Sequence, residues 1–239
     1  MTRVVLYGAG RTAATIAAAA AQETSVEISA IVSRSQPAWD TRINYVPTLD
    51  QLGQVPQVLI DFSLPEGTAT AAAWCRNSGV ALLSGVTGLP PATHELLALA
   101  AQKVGVLWSP NMSIGVNLLA QLCRQAAAVA GPAATVHIED THHQWKKDAP
   151  SGTALMLGGA IQSHWPTGRI DIGYQSRREG EVIGTHSVTF SLPGEQIVLS
   201  HEALDRGIFA RGALAAAQWL AGQPAGLYTA ADWLAHRPQ

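Results

Sequence analysis

The first third of the chain alternates short, wholly apolar runs with stretches of helical spacing. Arg3 to Tyr7 reads as a buried strand and Gly8-Ala9-Gly10 as a turn. Thr12 to Ala21 is almost all alanine, the strongest helix former, and reads as a helix. A second strand, Val26 to Val32, ends at Ser33-Arg34-Ser35, and a third, Val58 to Phe62, ends at Ser63. A helix over Thr68 to Asn77 stops at Gly79, and strand Val80 to Ser84 runs into Gly85-Val86-Thr87-Gly88. A helix over His94 to Gln102 and a short strand over Gly105 to Trp108 follow. Strands that are apolar throughout bury both faces. Separated by helices, they predict a parallel sheet covered on both sides. Such sheets bind ligands beyond the carboxyl ends of their strands, where this chain places its small polar residues.

The pattern changes after Asn111. Val116 to Ala130 reads as a long apolar helix stopped by Gly131-Pro132, and Thr135 to Asp140 as a strand. A polar stretch, Thr141 to Gly152, leads to a helix over Ala154 to Ser163. Ile170 to Gln175, Thr185 to Leu192 and Glu195 to His201 read as antiparallel strands, the last two joined at Pro193-Gly194. Ile208 to Leu220 is again helical. The expected fold class is therefore α/β: an N-terminal Rossmann-type parallel-sheet domain over 1–112, a smaller α+β domain over 113–207, and a tail, 208–239, that returns to the first domain.

Composition narrows the function. Of 239 residues, 47% are hydrophobic and 13% charged, which excludes a disordered chain. Fifteen basic against 17 acidic residues leave a net charge of -2, so no general field favours nucleic acid or anionic membranes. Two cysteines, Cys75 and Cys123, imply no disulfide framework and suit a reducing cytoplasm. The N-terminal apolar run is too short for a signal segment, and Ala13 to Ala21 too short to span a bilayer.

Four stretches carry candidate chemistry. Gly8-Ala9-Gly10-Arg11-Thr12-Ala13 joins a strand to a helix, where glycine lets backbone approach a pyrophosphate and the helix N-terminus offers free amides. Ala13 takes the position of the third glycine. At the end of the second strand, Ser33-Arg34-Ser35 replaces the acidic residue that usually bonds the NAD ribose, and Arg34 suits a 2′-phosphate, favouring NADPH. His142-His143-Gln144-Trp145-Lys146-Lys147-Asp148-Ala149-Pro150-Ser151-Gly152-Thr153 sets two imidazoles and two ammonium groups before a helix that Ser151 can cap. Together these make an anion site for a carboxylate, with a histidine placed to exchange protons. No cysteine or carboxylate cluster completes a metal shell there. Ser109-Pro110-Asn111-Met112 precedes the long helix, where Asn111 can cap or can hold a nicotinamide carboxamide.

Taken together, His142-His143-x-x-Lys146-x-Asp148-Ala149-Pro150-Ser151-Gly152-Thr153-Ala154 resembles the signature of the 4-hydroxy-tetrahydrodipicolinate reductase (dihydrodipicolinate reductase) family. Asp61-Phe62-Ser63-x-Pro65-Glu66-Gly67, Gly85-Val86-Thr87-Gly88, Ser109 to Asn117, Gly184-x-His186-x-Val188-x-Phe190 and Ala210-Arg211-Gly212-Ala213-Leu214 resemble further family blocks, so the likeness spans nearly the whole chain. It implies NAD(P)H-dependent reduction of a small cyclic dicarboxylate in the diaminopimelate route to lysine, by a homotetramer built on the second domain's sheet. It assigns proton donation to His142 and Lys146, and substrate carboxylates to His143, Ser151, Gly152, Thr153 and Thr87. It assigns the cofactor to Gly8, Ala9, Gly10, Arg11, Thr12, Ala13, Ser33, Arg34, Gly85, Val86, Thr87, Ser109, Pro110, Asn111 and Met112, with NADPH preferred and NADH the alternative. The alternatives are another NADP-dependent imine or aldehyde reductase, which a substrate panel separates, and a non-catalytic NADP-binding sensor, against which His142, Lys146 and the Ser-Gly-Thr loop together argue.

Overall fold

The computed structural model describes residues 1–236 apart from 40 and 167. The last three residues of the tail expected to return to the first domain lie outside the described residues. The chain forms two compact units, one of Met1–Ser113 with the segment from Gly207 onward, the other of Ile114–Arg206.

The first unit begins with β1 (Thr2–Tyr7), α1 (Arg11–Ala20), β2 (Val26–Val32), β3 (Tyr45–Val46), β4 (Val58–Asp61), α2 (Pro65–Ser78), β5 (Ala81–Ser84), α3 (Pro91–Ala101) and β6 (Gly105–Trp108). The second holds α4 (Ile114–Ala130), β7 (Thr135–His142), α5 (Gly152–Gln162), β8 (Ile172–Arg178), β9 (Thr185–Leu192) and β10 (Glu195–Glu202). The chain then closes the first with α6 (Gly207–Leu220), β11 (Gly226–Tyr228) and α7 (Ala230–Ala235). Helices α2 and α3 start earlier than their periodicity predicts because each opens on a proline, which is pre-set for the first helical turn. Gly79 caps α2 at φ 74, a left-handed conformation that favours glycine. The short elements β3, β11 and α7 have no counterpart in the sequence reading, since runs of two, three and six residues are too short to show a period.

The first unit is a Rossmann-type sheet of seven parallel strands in the order β11-β6-β5-β4-β1-β2-β3. Alternate strand residues (Val5, Leu59, Leu82, Val106) pack under α2 and α3 in one apolar cluster with Ala71, Cys75, Leu97 and Ala100. Parallel register aligns Val32, Tyr7, Asp61, Ser84 and Trp108 in one row across the carboxyl edge. The next residue of each strand (Ser33, Gly8, Phe62, Gly85, Ser109) opens a loop, so all these loops leave from the same edge.

Asp61 ties that edge together. Its fully buried carboxylate accepts hydrogen bonds from Ser63 N at 3.0 Å, Ser63 Oγ at 2.6 Å, Thr68 Oγ1 at 2.7 Å and Ser84 Oγ at 2.9 Å. The ends of β4 and β5 and the first turn of α2 thus share one anion. Asp61→Ala strands buried hydroxyls without an acceptor. It should lower unfolding free energy by about 3 kcal/mol, read from urea melts of the whole protein. A loss within error would show that these donors find other partners.

In the second unit the sheet order is β10-β9-β7-β8. The sequence predicts antiparallel strands throughout. The structure corrects this for β8, which pairs parallel to β7 over Val136 to His142. The reason is the intervening α5: a strand, helix, strand crossover returns the chain in the same direction. Antiparallel pairing holds for β7–β9 and β9–β10.

One face of this sheet changes character along its length. Val136 pairs with Phe190 and Ile138 with Val188, and these four join α4 and α5 in the unit's apolar core. Two residues further on, the same face carries a polar rung, His201–His186–Asp140–Ser176, one residue from each strand. Beyond it His142 pairs with Arg178. The strand therefore runs through His142, which the sequence places in a polar loop. Its side chain follows Val136, Ile138 and Asp140 inward at period two.

Candidate active site

In the first unit a cavity of about 620 Å³ is lined by Tyr7, Gly8, Ala9, Gly10, Val32, Ser33, Arg34, Pro47, Phe62, Ser63, Leu64, Glu66, Gly67 and Thr70. Gly8 sits at φ +109, and a Cβ there would lie 2.7 Å from the Phe62 carbonyl oxygen, so the turn admits only glycine without strain. Gly10 is the N-cap of α1, with no side-chain cap, and a Cβ there would meet nothing within 4 Å. Free first-turn amides beneath open space suit a pyrophosphate, so the chain's residues fit a dinucleotide. Arg11 and Thr12 are exposed on the first turn, whereas Ala13 is buried at the glycine position. Arg34 is exposed on the cavity rim, and its charge bears on the Tyr7 phenol.

The other residues expected at the cofactor lie along the carboxyl edge but outside that cavity. Gly85 has no room for a side chain because the Phe62 ring lies against it. Val86 is buried, its carbonyl accepts a hydrogen bond from Trp108 Nε1 at 2.9 Å, and its N–H donates to Ser84 Oγ at 3.4 Å. Thr87 is exposed. Ser109 is buried and donates to the Asn111 carbonyl at 2.7 Å, while Asn111 Oδ1 accepts from Ser113 N at 2.8 Å. Pro110 is half-buried, and Met112 is buried with its carbonyl against Gly212.

In the second unit the chemistry gathers where the sheet face turns polar. Asp140, 1% exposed, takes His142 Nδ1 at 2.9 Å and Arg178 Nη1 at 3.0 Å on one oxygen. Its other oxygen accepts from Ser176 Oγ at 2.6 Å and Ser151 N at 3.4 Å. Burial alone would raise the Asp140 carboxyl, but the hydrogen bonds of Ser176, Ser151 and Arg178 outweigh it and hold the group below its ordinary value. An ionised Asp140 accepts from Nδ1–H, which leaves Nε2 as the working nitrogen of His142. That nitrogen faces Gly184, where a Cβ would lie 3.2 Å away. Burial, then the Lys146 charge, lower the His142 pKa, opposed by Asp140.

Lys146 pairs with Asp148 at 2.8 Å, and Arg178 also donates to the Asp148 carbonyl. Ser151 caps α5 as the sequence predicts, accepting from Ala154 N at 3.1 Å. Gly152 is exposed at the first turn, beside half-buried Thr153. His143 is half-buried, its ring 5.9 Å from that of Trp145. The structure thus brings His142, Lys146 and Ser151 together in one unit and adds Asp140, Ser176, Arg178, His186 and His201. Sequence reasoning assigned no role to these five. A histidine at an inward position of an alternating strand, as in Thr185-His186-Ser187-Val188-Thr189-Phe190, is the signal that would have found His186.

Comparison with known proteins agrees with this architecture. Residues 2–112 match the family model described as dihydrodipicolinate reductase, N-terminus, and residues 115–234 match that for its C-terminus. A 4-hydroxy-tetrahydrodipicolinate reductase from Xanthomonas euvesicatoria pv. vesicatoria (strain 85-10) is 40% identical over 236 residues, 96% of each chain. One from Anaeromyxobacter sp. (strain Fw109-5) is 45% identical over 197 residues, 75% of this chain and 74% of its own. Among solved structures, a dipicolinate-bound dihydrodipicolinate reductase from Paenisporosarcina sp. TG-14 superposes with a TM-score of 0.84 at 21% identity, covering 96% of this chain and 97% of that one. The fold and these relatives define an NAD(P)H-dependent oxidoreductase of two units, the first Rossmann-type. The chain belongs to the dihydrodipicolinate reductase family.

Proposed function

We propose that the chain reduces 4-hydroxy-tetrahydrodipicolinate, by way of dihydrodipicolinate, to tetrahydrodipicolinate in the diaminopimelate route to lysine. The observation that carries the reading is the buried Asp140–His142 pair beside the Ser151-capped end of α5, with Lys146 close enough to act on His142. Relatives 40–45% identical bear the reductase name, which disfavours another imine reductase or a sensor. The test is oxidation of NADPH or NADH by the purified protein, with substrate generated in place by the synthase that precedes it. Cofactor binding without oxidation would overturn the assignment.

The bound dihydronicotinamide supplies the hydride. The residues of the chain handle charge and protons. His142 gives the proton that quenches negative charge building toward the substrate ring nitrogen, and Asp140 holds its donor tautomer. Lys146 stabilises that charge as it develops. His143, Ser151, Gly152 and Thr153 bind the carboxylates at the positive end of α5. Gly8 to Gly10 and the first turn of α1, Arg11 to Ala13, receive the pyrophosphate.

In the free enzyme burial and the Lys146 charge favour the neutral form of His142, against Asp140, and lower its pKa below the ordinary imidazole value. The acid form falls as pH rises, so kcat/KM should decline with pH through a transition on the acid side of an ordinary histidine. A dicarboxylate beside the ring favours the charged form, so the transition in kcat should lie at higher pH. Full pH profiles of both constants check this; identical transitions would remove the substrate's role in charging His142.

Arg34 makes NADPH the preferred cofactor in this reading, with Ser33 beside it. Arg34→Ala should raise the KM for NADPH by about 10- to 100-fold, as expected for a lost charge-assisted contact, and leave that for NADH unchanged. Equal losses with both cofactors would count against a 2′-phosphate contact. Among the described residues no helix is long and apolar enough to cross a membrane, and Cys75 and Cys123 are free and buried. These fit a cytoplasmic enzyme. Half or more of Val198 is exposed on β10, which fits a homotetramer built on this sheet, and sedimentation equilibrium would read four chain masses.

A further inference from the structure

His186 is 4% exposed, and neither of its ring nitrogens has a hydrogen-bond partner among the described residues. A buried imidazole without partners loses its hydration with nothing in return, so a purely structural role would be better served by an apolar ring. Its surroundings are specific. The His142 ring stands edge-on to it with centroids 5.1 Å apart, and the His201 ring lies 6.2 Å away on its other side. His201 is partly exposed, so the three imidazoles run from the site toward solvent across adjacent strands. At Gly184 a Cβ would lie 3.2 Å from His142 Nε2 and 3.5 Å from His186 Cε1, so the glycine lets the backbone come close to both rings, and a side chain there would crowd them. No group of three or more His, Cys, Asp or Glu among the described residues has metal-binding geometry, so the array is not a metal site.

We infer that His201 and His186 form a relay that returns a proton to His142 after each turnover. The inference rests on the reading of His142 as the proton donor. Asp140 occupies Nδ1, so the proton lost to substrate must be replaced at Nε2, the nitrogen that faces Gly184. One proton enters from solvent at His201. The His186 ring, whose nitrogens no partner holds in place, turns to bring each neighbour within hydrogen-bond reach: it accepts the proton on one nitrogen and releases the proton of the other to His142 Nε2. No electrons move, no charge remains on His186, and rotation of its ring restores the starting tautomer. Such a relay needs a ring that stays neutral. The groups facing His186 are Asp140 and His142 on β7, His201 on β10 and Lys146 in the following loop. Burial, then His142, His201 and Lys146, depress its pKa to about 4 against the opposing charge of Asp140.

The test is His186→Phe, which keeps a ring in the same space, compared with His142→Gln. At a pH below the transition measured in kcat/KM, where His142 starts charged, the first turnover with enzyme in excess should keep its rate in His186→Phe. Steady-state kcat should fall on the order of tenfold and recover as imidazole buffer is added, since small proton carriers bypass a broken relay. If His186→Phe slows first turnover and steady state equally, the ring positions His142 and the relay is overturned. If neither rate changes, it is overturned as well. Retained turnover in His142→Gln would instead remove the donor assignment itself, a failure distinct from that of the relay.

Discussion

His142→Gln lowers kcat by about 100-fold or more, the usual contribution of a positioned general acid, and leaves NADPH affinity unchanged. The two effects separate because His142 belongs to the second unit, whereas Gly8 to Gly10 and Arg34 line the cavity of the first. Glutamine keeps a polar group of similar reach but has no proton to give at neutral pH. The measurement pairs steady-state oxidation of dihydronicotinamide with a fluorescence titration of NADPH. Parallel loss of turnover and cofactor affinity would point to a folding defect and not to missing acid catalysis.

Asp140→Asn has the second large effect, through His142 and not through the substrate. The carboxylate accepts from four groups at once: His142, Arg178, Ser176 and Ser151. An amide of the same shape must turn an NH2 toward at least one of those donors, which breaks the set. By comparison with other acid–histidine pairs, kcat should fall by about 10- to 1,000-fold. The pH profile gives a second and more specific readout. Asp140 raises the pKa of His142 by hydrogen bond and by charge, against burial and Lys146. Without it, the transition in kcat/KM moves to lower pH. An unmoved transition, with kcat reduced, would show that Asp140 acts on the fold of the loop before α5 and not on the imidazole.

The parallel sheet and its loops were legible because each apolar run ends in a small polar residue, and parallel register then aligns those ends without further information. The Ser151 cap was legible for the same local reason. What escaped depends on residues distant in sequence. Thr141-His142-His143-Gln144 reads as a polar loop until Arg178, 36 positions from His142, supplies the strand pairing that keeps β7 extended. The direction of β8 follows from the helix before it, yet the strand's own residues say nothing about direction. Asp61 ends an apolar run as an isolated acid, and one of the donors that satisfy it in the core, Ser84, comes from the neighbouring strand.

The face that begins as Val136, Ile138, Val188 and Phe190 and ends as Asp140, His142 and His186 sets folding and reaction side by side on the same strands. Polar side chains at its far end occupy positions where apolar residues would pack with less desolvation. Selection for thermostability alone should therefore erode this end first. Variants that gain melting temperature at position 186, where the ring nitrogens have no partner, would lose turnover, while repacking at 136 or 190 would leave it untouched. A stability screen run without an activity filter would map the site by the substitutions it prefers.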